Sequence, residues 1–172
     1  MSQLLQMFLS RHELLSSRFY SKVYRTHSRI IKCMSTHRVL DPEGFTTKSQ
    51  ASAFGTEVLG YIEKLHALGV PVSPIGDTNL FIISDPQTGK PSVMLDVPDG
   101  GTSVEEVMEY ADEKHIRVLA EAMIGAFLPL LYQNPLQETW GAVGIDAIPS
   151  NFALAEGHMT YIDFTPPRYF SS

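Results

Sequence analysis

Hydrophobic and polar positions change period several times along the chain, and each change marks an element. Residues 18–26, RFYSKVYRT, alternate and are rich in aromatic side chains, as a half-buried strand requires. A His-Ser turn follows. Residues 29–35, RIIKCMS, read as a second strand, with Ile30, Lys32 and Met34 on one face and Ile31 and Cys33 on the other. Residues 41–49 form a loop, from which Thr47 and Gln50 make a capping box. Phe54, Val58, Tyr61, Ile62 and Leu65 then recur at helical spacing, up to a stop near Gly69. TNLFIIS and PSVMLDV flank DPQTGK as a hairpin with a longer turn. PDGG, at 98–101, reads as a flexible break, and Thr102 with Glu105 offers a second cap. Residues 115–134 predict a long apolar helix buried on most sides. NFALAEGHMTYIDF predicts a strand, a turn at Glu156–Gly157 and another strand. The first fifteen residues, MSQLLQMFLSRHELL, read as an amphipathic helix. The sum is an α+β pattern: a small antiparallel sheet with one helix, then helices and a short hairpin.

Composition narrows the classes of function. A chain of 172 residues, 44% hydrophobic, can bury a core in one domain or in two small lobes. The net charge of −6 disfavours a nucleic-acid partner, although a local cationic site still admits small anions. Cys33 is the one cysteine, so neither an internal disulfide nor a thiolate metal cluster can form, and a reducing, cytoplasmic setting is expected. The longest apolar runs are too short to span a bilayer, and the N-terminus lacks the marks of a signal peptide, so no membrane partner is expected. The six histidines show no metal-ligand spacing.

Candidate chemistry gathers near the end. Asp146 and Asn151 lie five apart on a loop before a strand, and Asp163 follows twelve residues later, across a hairpin that brings its ends together. Carboxylate and amide oxygens suit Mg²⁺, whose remaining positions go to waters and substrate phosphates. Asn151 and Asp163 would supply the protein side of that shell. Asp146 would orient an acceptor hydroxyl and receive its proton. Taken singly, each also has a plain turn-forming or strand-ending role. Trp140 reads as core packing beneath this loop.

D-A-I-P-S-N at 146–151 with Y-I-D-F-T at 161–165 resembles the catalytic loop and Asp-Phe-Gly element of the protein-kinase-like superfamily, which includes protein kinases and aminoglycoside-type small-molecule kinases. The resemblance covers about residues 16–168. It implies a single minimal domain of bilobal fold: a small antiparallel N-lobe sheet with one helix (1–97), a hinge (98–101) and a reduced helical C-lobe (102–172). It implies ATP and Mg²⁺ as cofactors. Lys32 resembles the third-strand lysine that holds the nucleotide α/β-phosphates. Glu57 resembles the helix glutamate that positions it, with Glu63 as the alternative. VMLDVPDGG resembles the fifth strand and the adenine-contacting hinge, which assigns Val97 and Asp99 to the nucleotide. SSRFYSKVYR stands where a glycine-rich phosphate loop is expected, with Ser16, Ser17 and Ser21 in place of glycines; Ser17 is assigned to the phosphates.

Other departures carry consequences. Gly144 and Ile145 replace the usual His-Arg pair, which implies constitutive activity. Ile148 stands where many protein kinases have a lysine, and Thr165-Pro166-Pro167 stiffens the segment after Phe164. Nine residues follow Asp163, the outline of a minimal kinase similar in architecture to small effectors that bacteria inject into host cytosol. The implied acceptor is a protein hydroxyl, a host protein among the candidates. The alternatives are a small-molecule kinase and a non-catalytic pseudokinase. A reduced helical lobe would leave an apolar face and favour a dimer.

Overall fold

The computed structural model describes residues 13–18, 21–35, 44–84, 89–133 and 144–166. The chain divides into two compact units. The first comprises Met1–Glu57 and Gly76–Asp99, the second Val58–Ile75 and Gly100–Ser172.

The first unit is built on an antiparallel sheet of β1 (Glu13–Arg18), β2 (Ser21–Arg25), β3 (Arg29–Met34), β4 (Asn79–Ser84) and β5 (Pro91–Pro98), in the order β1-β2-β3-β5-β4. The amphipathic helix expected over the first fifteen residues is corrected where it is described: residues 13–15 belong to β1. The register shifts between Leu14 and Ser16, and this irregularity breaks the two-residue period that marks a strand in sequence. The strand expected at 18–26 is β2, at 21–25, and Arg18 ends β1 instead, opposite Ser21. Cross-strand partners point to the same side of a sheet. Val23 pairs with Lys32 and Lys32 with Leu95, while Ile30 pairs with Val97 and Leu80 with Leu95. Val23, Ile30, Lys32, Leu80, Leu95 and Val97 therefore share one face.

Helix α1 (Lys48–Ala67) begins at the foreseen capping box. The Gln50 amide N–H donates to Thr47 Oγ1 at 3.2 Å, and the Thr47 N–H donates to Gln50 Oε1 at 3.1 Å. Two amides left open by helix geometry are satisfied reciprocally. Thr47→Ala is expected to cost about 1 kcal/mol in urea titration; an unchanged midpoint would show that the box is idle. At the other end Gly69 takes φ +80°, where a side chain would be strained, and the Val70 N–H returns to Leu65 O. Phe54, Val58, Tyr61, Ile62 and Leu65 are all buried. In the first unit, a Cβ on Gly55 would come within 2.8 Å of Leu80 Cδ2, so the helix lies close upon the shared face.

The second unit holds a three-stranded sheet, β6 (Thr102–Ser103), β7 (Phe152–Ala155) and β8 (His158–Tyr161), with α2 (Val104–Tyr110) and α3 (Glu113–Gln133). The turn at Glu156–Gly157 forms as expected, with φ of +50° and +80°. Thr102 does not cap α2. It sits in β6 opposite Leu154, and Ser103 occupies the cap position without a side-chain hydrogen bond. Helix α3 buries one stripe, Leu119, Met123, Ala126 and Leu130, and leaves Ile116, Val118, Ile124 and Tyr132 exposed. Burial on most sides is thus corrected, because one stripe suffices to dock an amphipathic helix. The break expected at 98–101 falls where the first unit passes to the second, between Asp99 and Gly100. Within the first unit Pro98 pairs with Arg29 and the Asp99 N–H donates to Ser28 O at 3.0 Å. Within the second, a Cβ on Gly100 would lie 3.1 Å from Ala153 Cβ, so its backbone is packed down as well. No helix among the described residues is long and apolar enough to cross a membrane.

Candidate functional site

In the second unit the residues singled out near the C-terminus are joined by short bonds. A 3₁₀ turn at Pro149–Asn151 opens with proline, whose fixed φ suits a first helical position. The turn leads into β7, which hairpins back through β8. Beyond β8 the Ile162 N–H donates to Asn151 O at 2.9 Å, which ties the chain next to Asp163 to the chain at Asn151. Asn151 Nδ2 donates to Asp146 O at 3.0 Å, and the Ile148 N–H donates to the same oxygen at 3.0 Å. Because the amide nitrogen of Asn151 is spent there, its oxygen is the end that suits a hard cation. Asp163 Oδ1 accepts the Thr165 N–H at 3.1 Å in a local Asx turn. Asp163 stands two residues past the end of β8, and the next residue, Phe164, is buried at 2% exposure. Asp146 is exposed.

Two tyrosines underlie this loop. Tyr161 is fully buried and meets Phe152 edge-on, with ring centroids 5.3 Å apart. Its own N–H donates to Pro71 O at 2.7 Å, and its hydroxyl accepts the Asp146 N–H at 3.3 Å. Tyr61, from α1, donates its hydroxyl proton to Gly144 O at 2.7 Å. Burial, with the charges of Asp163 and Asp146 adding to it, pushes the Tyr161 phenol up to about 12 from its ordinary 10.0. The carboxylates on either side of the hairpin thus both act on one hydroxyl. In metal-free buffer the folded state keeps this proton after the unfolded chain has lost it. Stability is therefore expected to fall between pH 10 and about 12, by about 1.4 kcal/mol per pH unit. Tyr161→Phe should flatten that part of the alkaline unfolding curve.

Helical spacing marks Tyr61 only as a core position, and nothing in the local pattern singles out Tyr161. The available signal was chemical: a tyrosine at a buried position needs a partner for its hydroxyl.

The remaining candidates lie in the first unit. Lys32 is on the third strand, half-buried, on the face shared by Val23, Ile30 and Val97. Val97 is 3% exposed and opposite Ile30. Glu57 is exposed on α1 and belongs to the same compact unit as Lys32, whereas Glu63 belongs to the second. Ser17 pairs with Lys22 near the end of the β1–β2 hairpin. Asp99 is the candidate whose contacts differ most from expectation. Its carboxylate lies 2.9 Å from Arg25 Nε and its N–H is spent on Ser28 O. The carboxylate and the amide thus hold the end of β5 to the β2–β3 region. Trp140 lies outside the described residues. Among the described residues no group of three or more His, Cys, Asp or Glu gathers as a metal site. A cation held by one carboxylate and one amide would depend on other oxygens, as Mg²⁺ at a nucleotide does.

Against solved structures, the chain matches a MAP kinase from Leishmania major with a TM-score of 0.51, over 97% of this chain and 51% of that one, at 17% identity. The fold is protein-kinase-like. This kinase-like chain spans about half the length of the kinase it matches. No protein-family model matches it, and no curated protein does.

Proposed function

We propose that the kinase-like chain is an ATP- and Mg²⁺-dependent phosphotransferase acting on a protein hydroxyl. The observation that carries this reading is the Asn151–Asp146 hydrogen bond, with Ile162, the neighbour of Asp163, tied to Asn151 O, in a chain of kinase-like fold. Bound MgATP would supply the transferable phosphoryl group and the charge that neutralises it. Asn151 Oδ1 and the Asp163 carboxylate would hold the metal. Asp146, with both its peptide N–H and its carbonyl fixed, would aim its carboxylate at the acceptor hydroxyl and take its proton. Lys32 would add positive charge at the phosphates, with Glu57 as its partner, and Ser17 would lie near the phosphates. Val97 would give apolar contact to the base. Asp99, its N–H and carboxylate engaged, would contribute at most its carbonyl.

A protein acceptor is favoured over a small alcohol because Asp146 is exposed. A folded protein brings its own surface to exclude water there, and a small molecule does not. The serines at the β1–β2 hairpin and Gly144-Ile145 before the aspartate favour the non-catalytic alternative. Transfer of labelled γ-phosphate, offered first to candidate proteins and then to small alcohols, decides among the three. Label on protein supports the proposal, label on the alcohol alone supports a small-molecule kinase, and no label on either supports a scaffold.

A further inference from the structure

The two buried tyrosines have a task beyond filling the core. Tyr61 has a single hydroxyl proton, and Gly144 O takes it at 2.7 Å. The Tyr161 oxygen accepts the Asp146 N–H. Two bonds from buried hydroxyls thus reach this loop: Asp146 N–H to Tyr161 Oη, and Tyr61 Oη to Gly144 O. Both bonds end on the backbone of one three-residue segment, Gly144–Ile145–Asp146. From the other side the Asp146 carbonyl receives Asn151 Nδ2 and the Ile148 N–H. An exposed side chain is thus carried on a peptide gripped at both ends.

We propose that the hydroxyls of Tyr61 and Tyr161 are positioning groups that set the direction in which Asp146 meets its acceptor. The proposal rests on the phosphotransferase reading, in which Asp146 serves as base. Phenylalanine at either position keeps the ring and removes one of the two bonds. Tyr161→Phe leaves the Asp146 N–H without its acceptor, and Tyr61→Phe leaves Gly144 O without its donor. A carboxylate out of line loses rate without losing nucleotide, so the effect belongs in kcat.

The test measures kcat, the KM for ATP and the single-residue exchange of the Asp146 amide in the wild-type chain, in both Phe variants and in the double variant. All are read well below the melting temperature, with kcat normalised to the fraction that binds nucleotide. The expected result is a kcat lower by roughly 10- to 100-fold in each single variant, an ATP KM within about twofold of wild type, and a loss in the double variant smaller than the two single losses combined, because both bonds hold one three-residue segment. Exchange of the Asp146 amide should quicken in Tyr161→Phe. A kcat within twofold of wild type in both variants, or an unchanged Asp146 amide, overturns the proposal. A role confined to stability would lower the melting temperature and leave the normalised kcat alone. If the wild-type chain transfers no phosphate, the phosphotransferase reading falls and takes the catalytic role with it. The amide exchange would still show whether the hydroxyls hold Asp146.

Discussion

Asp146→Asn is expected to lower phosphate transfer by roughly 10²- to 10⁴-fold while leaving nucleotide binding in place. The substitution is nearly isosteric, and the groups that hold this residue are backbone groups: its N–H on Tyr161, and its carbonyl on Ile148 and Asn151. They survive the change. What is lost is a basic oxygen able to accept the acceptor's proton. The companion variant Asp163→Asn would remove a proposed metal ligand instead, so transfer and metal-dependent binding should fall together. Transfer and binding measured on the same preparations separate the two roles. An Asp146→Asn protein that transfers at the wild-type rate would refute the assignment of the base.

The largest effect on stability is expected from Gly101→Ala. Gly101 has φ +98°, a conformation that a side chain rarely tolerates. A Cβ there would lie 2.2 Å from Leu154 O and 2.7 Å from its carbonyl carbon. That carbonyl is backbone and cannot rotate aside, and the next residue, Thr102, pairs with Leu154 across β6 and β7. Relief therefore requires β6 to lift from β7, on the strand that carries Phe152 into the core. A cost of about 3–5 kcal/mol follows from strained backbone and lost pairing together. At roughly 2–4 °C per kcal/mol for a chain of this size, the melting temperature should drop by about 10 °C. Thermal unfolding followed by circular dichroism checks this. A shift under about 2 °C would mean that the close approach does not exist.

Much of the fold could be read locally. The Thr47–Gln50 box, the buried stripe of α1, the β4–β5 pair and the Glu156–Gly157 turn each depend on residues close in sequence. The features missed depend on distance or on a broken period. Strand β1 escaped because Leu14 and Leu15 are adjacent apolar residues at an irregularity in the register. Strand β6 is two residues long and exists only because β7 lies beside it. The Arg25–Asp99 pair joins residues far apart in the chain, so the engagement of the Asp99 carboxylate could not be read locally. In the candidate site, Asp146, Asn151 and Asp163 were legible because carboxylate and amide oxygens in apolar surroundings call for an explanation. Tyr61 and Tyr161 were not, because a tyrosine at a core position looks apolar until its hydroxyl partner is found.

The most direct test of a nucleotide site in this chain is thermal stability titrated with ATP, with and without Mg²⁺. The account predicts stabilisation that needs the metal, on the order of 2.7 kcal/mol at a hundredfold excess over Kd, lost in Asp163→Asn and Lys32→Met and kept in Asp146→Asn. No stabilisation at millimolar nucleotide, or a shift indifferent to Mg²⁺ and to both substitutions, would contradict it.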